Sequence, residues 1–304
     1  MIRSSLTQAI RALHLSGLLS SLEVRLAEAM GNRLDHAEFL ELVLHDEIVV
    51  RTSRQVQRRI RSACFRECKS LDEFDFAFNT TVPRRQIYDL ATGQFIRRKA
   101  DVLFLGPPGV GKSFLAQAIG QQAIKSGFMV LYRSIFDLAR DFLEEQLPLQ
   151  QDQTLGRYLK PDLLIIDDMG MKQLPRRSGE YLLEIILRRH ENRSTMMTSN
   201  RPLEDWGKLI GDAPAATAIL DRFLQHTQII SITGRSYRLQ RPGVLQPPSG
   251  PGPYTSGNRN EDSSPQETAH PLAPREANAE PGWMPEPHGM EKPLQANKVS
   301  EVAP

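Results

Sequence analysis

The chain has 304 residues, 40% of them hydrophobic and 24% charged, the composition of a globular protein with one large domain or two modest ones. No apolar run approaches the roughly 18 residues of a membrane span, the polar N-terminus predicts no signal peptide, and two cysteines point away from a disulfide framework and toward a reducing cytosol. The net charge of +2 is unevenly spread: residues 242–304 carry −4, which leaves +6 on 1–241 and hints at a polyanionic partner.

Residues 1–69 read as helical. Leu18, Leu22, Leu26 and Met30 recur every four residues, the spacing of one helix face. Asp35 with Glu38 makes a capping-box pattern that opens a second long helix through Phe39, Leu42 and Val43. Its later part carries Arg51, Arg54, Arg58, Arg59, Arg61, Arg66 and Lys69, with only Glu67 opposing. Such a one-sided run reads as a face that tracks phosphates, against the plainer reading of a solvated helix face. Cys64 and Cys68, four apart on one helix face, supply too few ligands for zinc and read as reduced thiols.

Ser70-Leu71-Asp72-Glu73 is a second capping-box pattern. Phe74, Phe76 and Phe78 alternate, which predicts a short extended segment with its aromatics packed on one surface. Pro83 starts a linker helix through Ile87, Leu90 and Ile96.

The centre of the chain is Gly106-Pro107-Pro108-Gly109-Val110-Gly111-Lys112-Ser113, which fits G-x-x-x-x-G-K-[ST], the phosphate-binding P-loop. The apolar run Val102–Leu105 before it predicts a buried strand, and Phe114 begins a helical pattern. In that setting, loop N–H groups and the positive end of the helix hold a phosphate chain. Lys112 would reach the β- and γ-phosphates, and Ser113 would put its hydroxyl on Mg²⁺.

Ser126-Gly127 stops that helix, Met129–Tyr132 predicts the second strand, and Ile135, Leu138, Ala139, Phe142 and Leu143 a helix. Leu163-Leu164-Ile165-Ile166-Asp167-Asp168 is a buried strand ending in acids, a Walker-B pattern that follows the P-loop. Asp167 would hold Mg²⁺ through water, and Asp168 would polarise the attacking water as a general base. Leu182–Leu187 make a buried helix ending in Arg188 and Arg189; Ser194–Thr198 is the fourth strand, with Ser199-Asn200 at its tip. Ile219–Phe223 is helical, and Gln228–Ile232 is the fifth strand. If the sheet runs 5-1-4-3-2, Asn200 lies between the two nucleotide motifs. Thirteen of the 21 prolines fall in 242–304, a segment expected to be disordered.

With these motifs in order, the chain resembles the IstB-like ATPases, insertion-sequence transposition helpers that are AAA+ proteins related to DnaC-type helicase loaders. The resemblance covers about 10–240. It rests on Leu71–Phe76, Phe104–Ser113, Pro161–Asp168, Thr198–Pro202, Ala218–Arg222 and Gly234–Arg238. It implies a P-loop AAA+ α/β domain at 70–241 preceded by a small helical domain at 1–69. It also implies Asn200 as the sensor that orients water, Arg222 as an arginine finger for a neighbouring subunit, and Arg238 as a sensor-2 candidate. The implied ligands and partners are ATP with Mg²⁺, duplex DNA, a transposase and further copies of the chain, in the cytoplasm. Asp168 stands where many AAA+ ATPases have Glu, which predicts slow hydrolysis.

A helicase loader is the alternative within the same fold. A small-molecule kinase lacks an acceptor site, a GTPase lacks Asn-Lys-x-Asp, and an inert nucleotide binder is disfavoured by the intact Lys112, Asp167 and Asp168.

Overall fold

The computed structural model describes residues 4–144, 148–175 and 177–240. The 242–304 segment expected to be disordered lies outside the described residues. Helices α1 (Ser4–Ala12), α2 (Ser16–Asn32) and α3 (His36–Ser62) share a small core of Ile10, Leu18, Leu22 and Val43. Both halves of the capping box at Asp35 and Glu38 form and start α3. The four-residue stripe is only half used: Leu18 and Leu22 are buried, whereas Leu26 and Met30 are exposed.

Helix α2 has no side-chain cap of its own. Instead the buried Glu47 of α3 accepts from Gly17 N at 2.6 Å and Leu18 N at 2.9 Å, and pairs with Arg51 at 2.6 Å. Orphan donors at a helix start thus meet a carboxylate from across the hairpin.

The basic run departs from expectation in one respect. Helix α3 ends at Ser62, so Cys64, Arg66, Cys68 and Lys69 are not on it. Cys64 has a left-handed φ of 59°, which turns the chain away from the helix, and both thiols are free. Ser70 caps a single 3-10 turn, Leu71–Glu73, rather than a longer helix. The phenylalanines that follow lie in a turn, not a strand, because Asp75 Oδ1 accepts from Ala77 N and Phe78 N. The linker helix is two pieces, α4 (Arg84–Ala91) and α5 (Gln94–Arg97), split at Gly93 with φ 73°.

The remaining elements are β1 (Asp101–Leu105), α6 (Lys112–Lys125), β2 (Val130–Ser134), α7 (Ile135–Leu143), α8 (Pro148–Leu159) and β3 (Leu163–Met169). Then come α9 (Ser178–Arg189), β4 (Ser194–Ser199), α10 (Trp206–Ile210), α11 (Ala213–Leu224) and β5 (Thr227–Ser231). All strand pairs are parallel, in the order β2-β3-β4-β1-β5, the expected 5-1-4-3-2 order of a P-loop AAA+ domain. Apolar side chains fill both faces of the sheet, as parallel strands under helices require. Among the described residues, no helix is long and apolar enough to cross a membrane.

Helix α8 has no counterpart in the sequence reading; its Gln-rich sequence buries only a short stripe that includes Leu155 and Tyr158. Of the two arginines that end α9, Arg188 is exposed and Arg189 is not. It is 1% exposed, and donates to Tyr158 O and Pro161 O, both at 2.9 Å, and to Thr195 Oγ1 at 3.1 Å. Burial pushes it down to about 9, opposed by the charge of Asp101. Asp101 itself accepts from Thr195 N at 2.6 Å.

Burial raises Asp101 from 3.8 to about 7. The folded protein therefore holds a proton that the unfolded chain releases between about pH 4 and 7. This stability is complete below that window and is lost as pH rises through about 7. At 1.36 kcal/mol per pH unit the component is at most about 4 kcal/mol. Asp101→Asn keeps the acceptor for Thr195 N and is expected to remove the component. Urea unfolding at pH 5 and pH 8 should show a smaller pH difference in the variant; an unchanged difference would assign the pH dependence elsewhere.

Candidate functional site

The first strand ends at Leu105, the loop Gly106–Gly111 follows, and α6 begins at Lys112. The loop is glycine-rich because other parts of the chain lie against it. Gly106 has φ 152°, and a Cβ there would sit 1.9 Å from Ile232 O. Gly109 has φ 84°, and its Cβ would sit 2.0 Å from Ser236 Oγ. Ile232 N donates to Leu105 O at 2.7 Å and Tyr237 N to Gly109 O at 3.0 Å, so the segment after β5 folds onto the P-loop.

A cavity of about 460 Å³ opens beside the loop, within the range of small-molecule sites. Its lining includes Lys112, Ser113, Asp167, Asp168, Asn200 and Arg238. Pro108, Gly109, Val110, Gly111 and Phe114 line it as well. Gly106 and Pro107 lie behind it, and their carbonyls accept from Lys112 Nζ, both at 2.8 Å. Burial pushes the Lys112 ammonium down to about 8 against the pull of Asp167, with Arg238 pushing the same way as burial. A phosphate chain in the cavity would supply the negative charge that this ammonium lacks.

Asp167 is fully buried at the carboxyl end of β3. Its Oδ1 accepts from Ser113 Oγ at 2.8 Å and also from Thr198 Oγ1, while Oδ2 accepts from Tyr132 Oη. Three hydroxyls from α6, β4 and β2 therefore converge on one carboxylate. Ser113 and Asp167 offer adjacent hard oxygen donors, the chemistry that suits Mg²⁺.

Beyond Asp167 the pairing of β3 with β4 slips between Ile166 and Met169, and Asp168 takes a left-handed φ of 65°. Its N–H still bonds Thr198 Oγ1 at 3.2 Å, while its Oδ2 accepts from Arg66 at 2.7 Å. Left-handed backbone at a non-glycine residue is tolerated when its surroundings over-determine it, and such residues cluster at functional sites. Asn200 Nδ2 donates to Met171 Sδ at 3.3 Å, but its buried Oδ1 has no partner among the described residues. That is an acceptor available to a ligand or water in the cavity.

Arg222 stands apart. It is exposed on α11, 3.5 Å from Asp221, and is not among the cavity-lining residues. Arg238 does line the cavity, carried there by the 3-10 turn Tyr237–Gln240.

The sequence reading missed Tyr132, Thr198 and Arg66 as parts of the site. Tyr132 sits in the middle of β2 and Thr198 next to the end of β4, hydroxyl-bearing side chains on buried strands, and that is the available signal. Nothing local marks Arg66, which is 102 residues from its partner.

The family model of the IstB-like ATP binding protein matches residues 8–243. The chain is 37% identical over 228 residues to the protein named as the ATP-binding protein of insertion sequence IS5376 in Geobacillus stearothermophilus, covering 75% of this chain and 91% of that one. It is 35% identical to the corresponding IS21 protein of Pseudomonas aeruginosa, covering 76% and 88%. The solved structure of DnaI is a looser likeness, with a TM-score of 0.45 at 24% identity over 59% of this chain and 92% of that one.

Gly106→Ala is expected to destabilise the fold by more than about 1 kcal/mol, since the new Cβ meets a backbone carbonyl that cannot step aside. Its thermal midpoint should drop and its affinity for a fluorescent nucleoside triphosphate should fall. Parental values for both would mean that the loop tolerates a side chain here.

Proposed function

The chain belongs to the family of IstB-like ATP binding proteins, and from that premise we propose that it is an AAA+ ATPase that assembles on duplex DNA and assists the transposase of its insertion sequence. One observation carries the reading: Lys112, Ser113, Asp167, Asp168 and Asn200, drawn from three separate stretches of chain, line a single cavity. ATP is the ligand that this set and the family together favour.

Each residue then has a task. The loop Gly106–Gly111 presents N–H groups to the phosphates, and Phe114 packs at its far end. Lys112 leaves the carbonyls of Gly106 and Pro107 for the β- and γ-phosphates. Ser113 and Asp167 would hold Mg²⁺, which would supply neutralising charge at the phosphates. Asp168 takes the proton of the attacking water, and the unpartnered Oδ1 of Asn200 orients that water. The exposed Arg222 is free to reach a neighbouring copy's nucleotide, a task suited to a permanent charge with a forked geometry. Turnover is slow because the short Asp168 side chain holds water loosely.

DNA is met through phosphates. On α3, Arg54, Arg58 and Arg61 lie three and four residues apart, on one exposed face. Arg51 is engaged by Glu47 and the half-buried Arg59 by Gly127 O, so the face narrows to Arg54, Arg58 and Arg61, of which Arg54 also donates to Ser16 Oγ.

Lys112→Ala is expected to abolish fluorescent-ATP binding, whereas Asp168→Asn keeps binding and loses phosphate release. Equal ATP affinity of Lys112→Ala and the parent protein would remove the assignment.

For Arg222 the measurement is subunit mixing. Arg222→Ala and Lys112→Ala should each be nearly inactive alone. Mixed, they should regain activity that rises with concentration, because some junctions pair an intact P-loop with an intact finger. Full activity of Arg222→Ala alone, with normal assembly, would end the role.

Binding to duplex DNA is expected to weaken with salt, log K falling by about 0.9 per phosphate neutralised for each unit of log salt. The Arg54→Ala, Arg58→Ala, Arg61→Ala triple variant should shallow that slope. An unchanged slope would move the DNA surface onto the AAA+ domain.

A further inference from the structure

The short strap 63–69 joins α3 to the AAA+ domain, and its backbone is anchored on both sides of Arg66. Tyr132 N donates to Ala63 O at 2.8 Å; Glu67 N donates to Gln117 Oε1 at 3.0 Å, and Gln121 Nε2 donates to Glu67 O at 3.3 Å. The Phe65 ring lies 5.9 Å from that of Tyr132 and fits against α6 at Gly120, where a Cβ would come within 3.0 Å of it. These anchors hold the strap along α6 and β2 and aim Arg66 into the site. Its guanidinium lies over the Tyr132 ring, 6.0 Å from the centroid, and binds Asp168 Oδ2 at 2.7 Å.

We infer that Arg66 is a positioning residue: its ion pair with Asp168 competes with the γ-phosphate of ATP for the guanidinium, and for as long as the pair stays closed it holds that carboxylate away from the reacting water. The inference rests on the reading of Asp168 as the general base.

The physical argument has two parts. A carboxylate engaged by a guanidinium at hydrogen-bond distance is held turned toward that partner, with fewer of its lone pairs open to a water in the cavity. Arg66 also lines the same cavity as Lys112. Triphosphate in that cavity brings several negative charges and oxygens that match the guanidinium fork, so it competes directly with a single carboxylate. A diphosphate lacks the terminal group and leaves the pair closed. Because the strap continues from α3, a shift of that helix would move Arg66 as well, which links the N-terminal helices to the state of the base.

The test is phosphate release by the full chain, with kcat and KM separated and thermal melting as the check on folding. Arg66→Ala is expected to raise DNA-free kcat about two- to fivefold, the scale of releasing a half-exposed ion pair, with KM within about twofold. Arg66→Lys, which keeps the charge and loses the fork, should fall between Arg66→Ala and the parent. Arg66→Gln serves if the alanine variant melts early. The double variant Arg66→Ala, Asp168→Asn should be inactive, as Asp168→Asn is alone.

A kcat equal to or below the parent's in Arg66→Ala and Arg66→Gln, with Asp168→Asn inactive, would overturn the latch and leave the base assignment standing. A double variant that keeps the raised rate would also overturn it, since the gain would not pass through Asp168. If Asp168→Asn by itself turns over ATP like the parent, the base assignment falls, and the latch with it.

Discussion

The arrangement of this protein depends on one buried carboxylate. Asp167 is shut off from solvent at the end of the third strand. A bare carboxylate there would be costly, and hydrogen bonds are what make it tolerable. The donors come from Ser113 at the start of α6, Tyr132 on β2 and Thr198 on β4. Satisfying one charge therefore fixes the P-loop helix against two strands that flank β3. Tyr132 feels the same charge: burial and then the neighbouring carboxylate hold its phenol well above its ordinary range. It stays a donor, which is what Asp167 needs.

A second constraint closes the site from the other side. The turn around Phe74–Asn79 and the segment after β5 are far apart in sequence, yet they meet beside the P-loop. Asn79 Nδ2 and Thr81 Oγ1 both donate to Thr233 O, at 2.9 and 2.7 Å. Phe78 and Tyr237 pack edge to face at 5.1 Å, and Phe74 packs on Phe114 at 5.4 Å. Phe74, Phe78 and Tyr237 line the cavity. A ligand there touches the chain just before and just after the sheet, as well as the P-loop itself. The strap 63–69 adds the N-terminal helices to the same set of contacts. A small cavity is thus built by elements from most of the described chain, and filling it bears on all of them.

The sequence by itself determined the five strands and the address of the cavity, and through the family resemblance it implied the fold class, with the sheet order left as a condition. Those features are written locally. A glycine-rich loop between an apolar run and a helical pattern has few other uses, and an apolar strand ending in two acids places carboxylates where a parallel sheet exposes its carboxyl ends. The capping box at Asp35 is local in the same way and formed as read. Only the tertiary structure decided where the helix boundaries and pairings depart from local pattern. Helix α3 stops before Arg66 because the chain turns at Cys64 to let Ala63 O meet Tyr132 N, a contact between residues 69 apart. Arg189 is buried because carbonyls from two other segments and a strand hydroxyl are waiting for it. Leu26 and Met30 stay exposed because α1 and α3 cover only one end of α2's stripe. In the first two cases a group is satisfied by a partner distant in sequence, in the third no distant element covers the side chains, and periodicity, which reports only a residue's nearest turns, carries no trace of either.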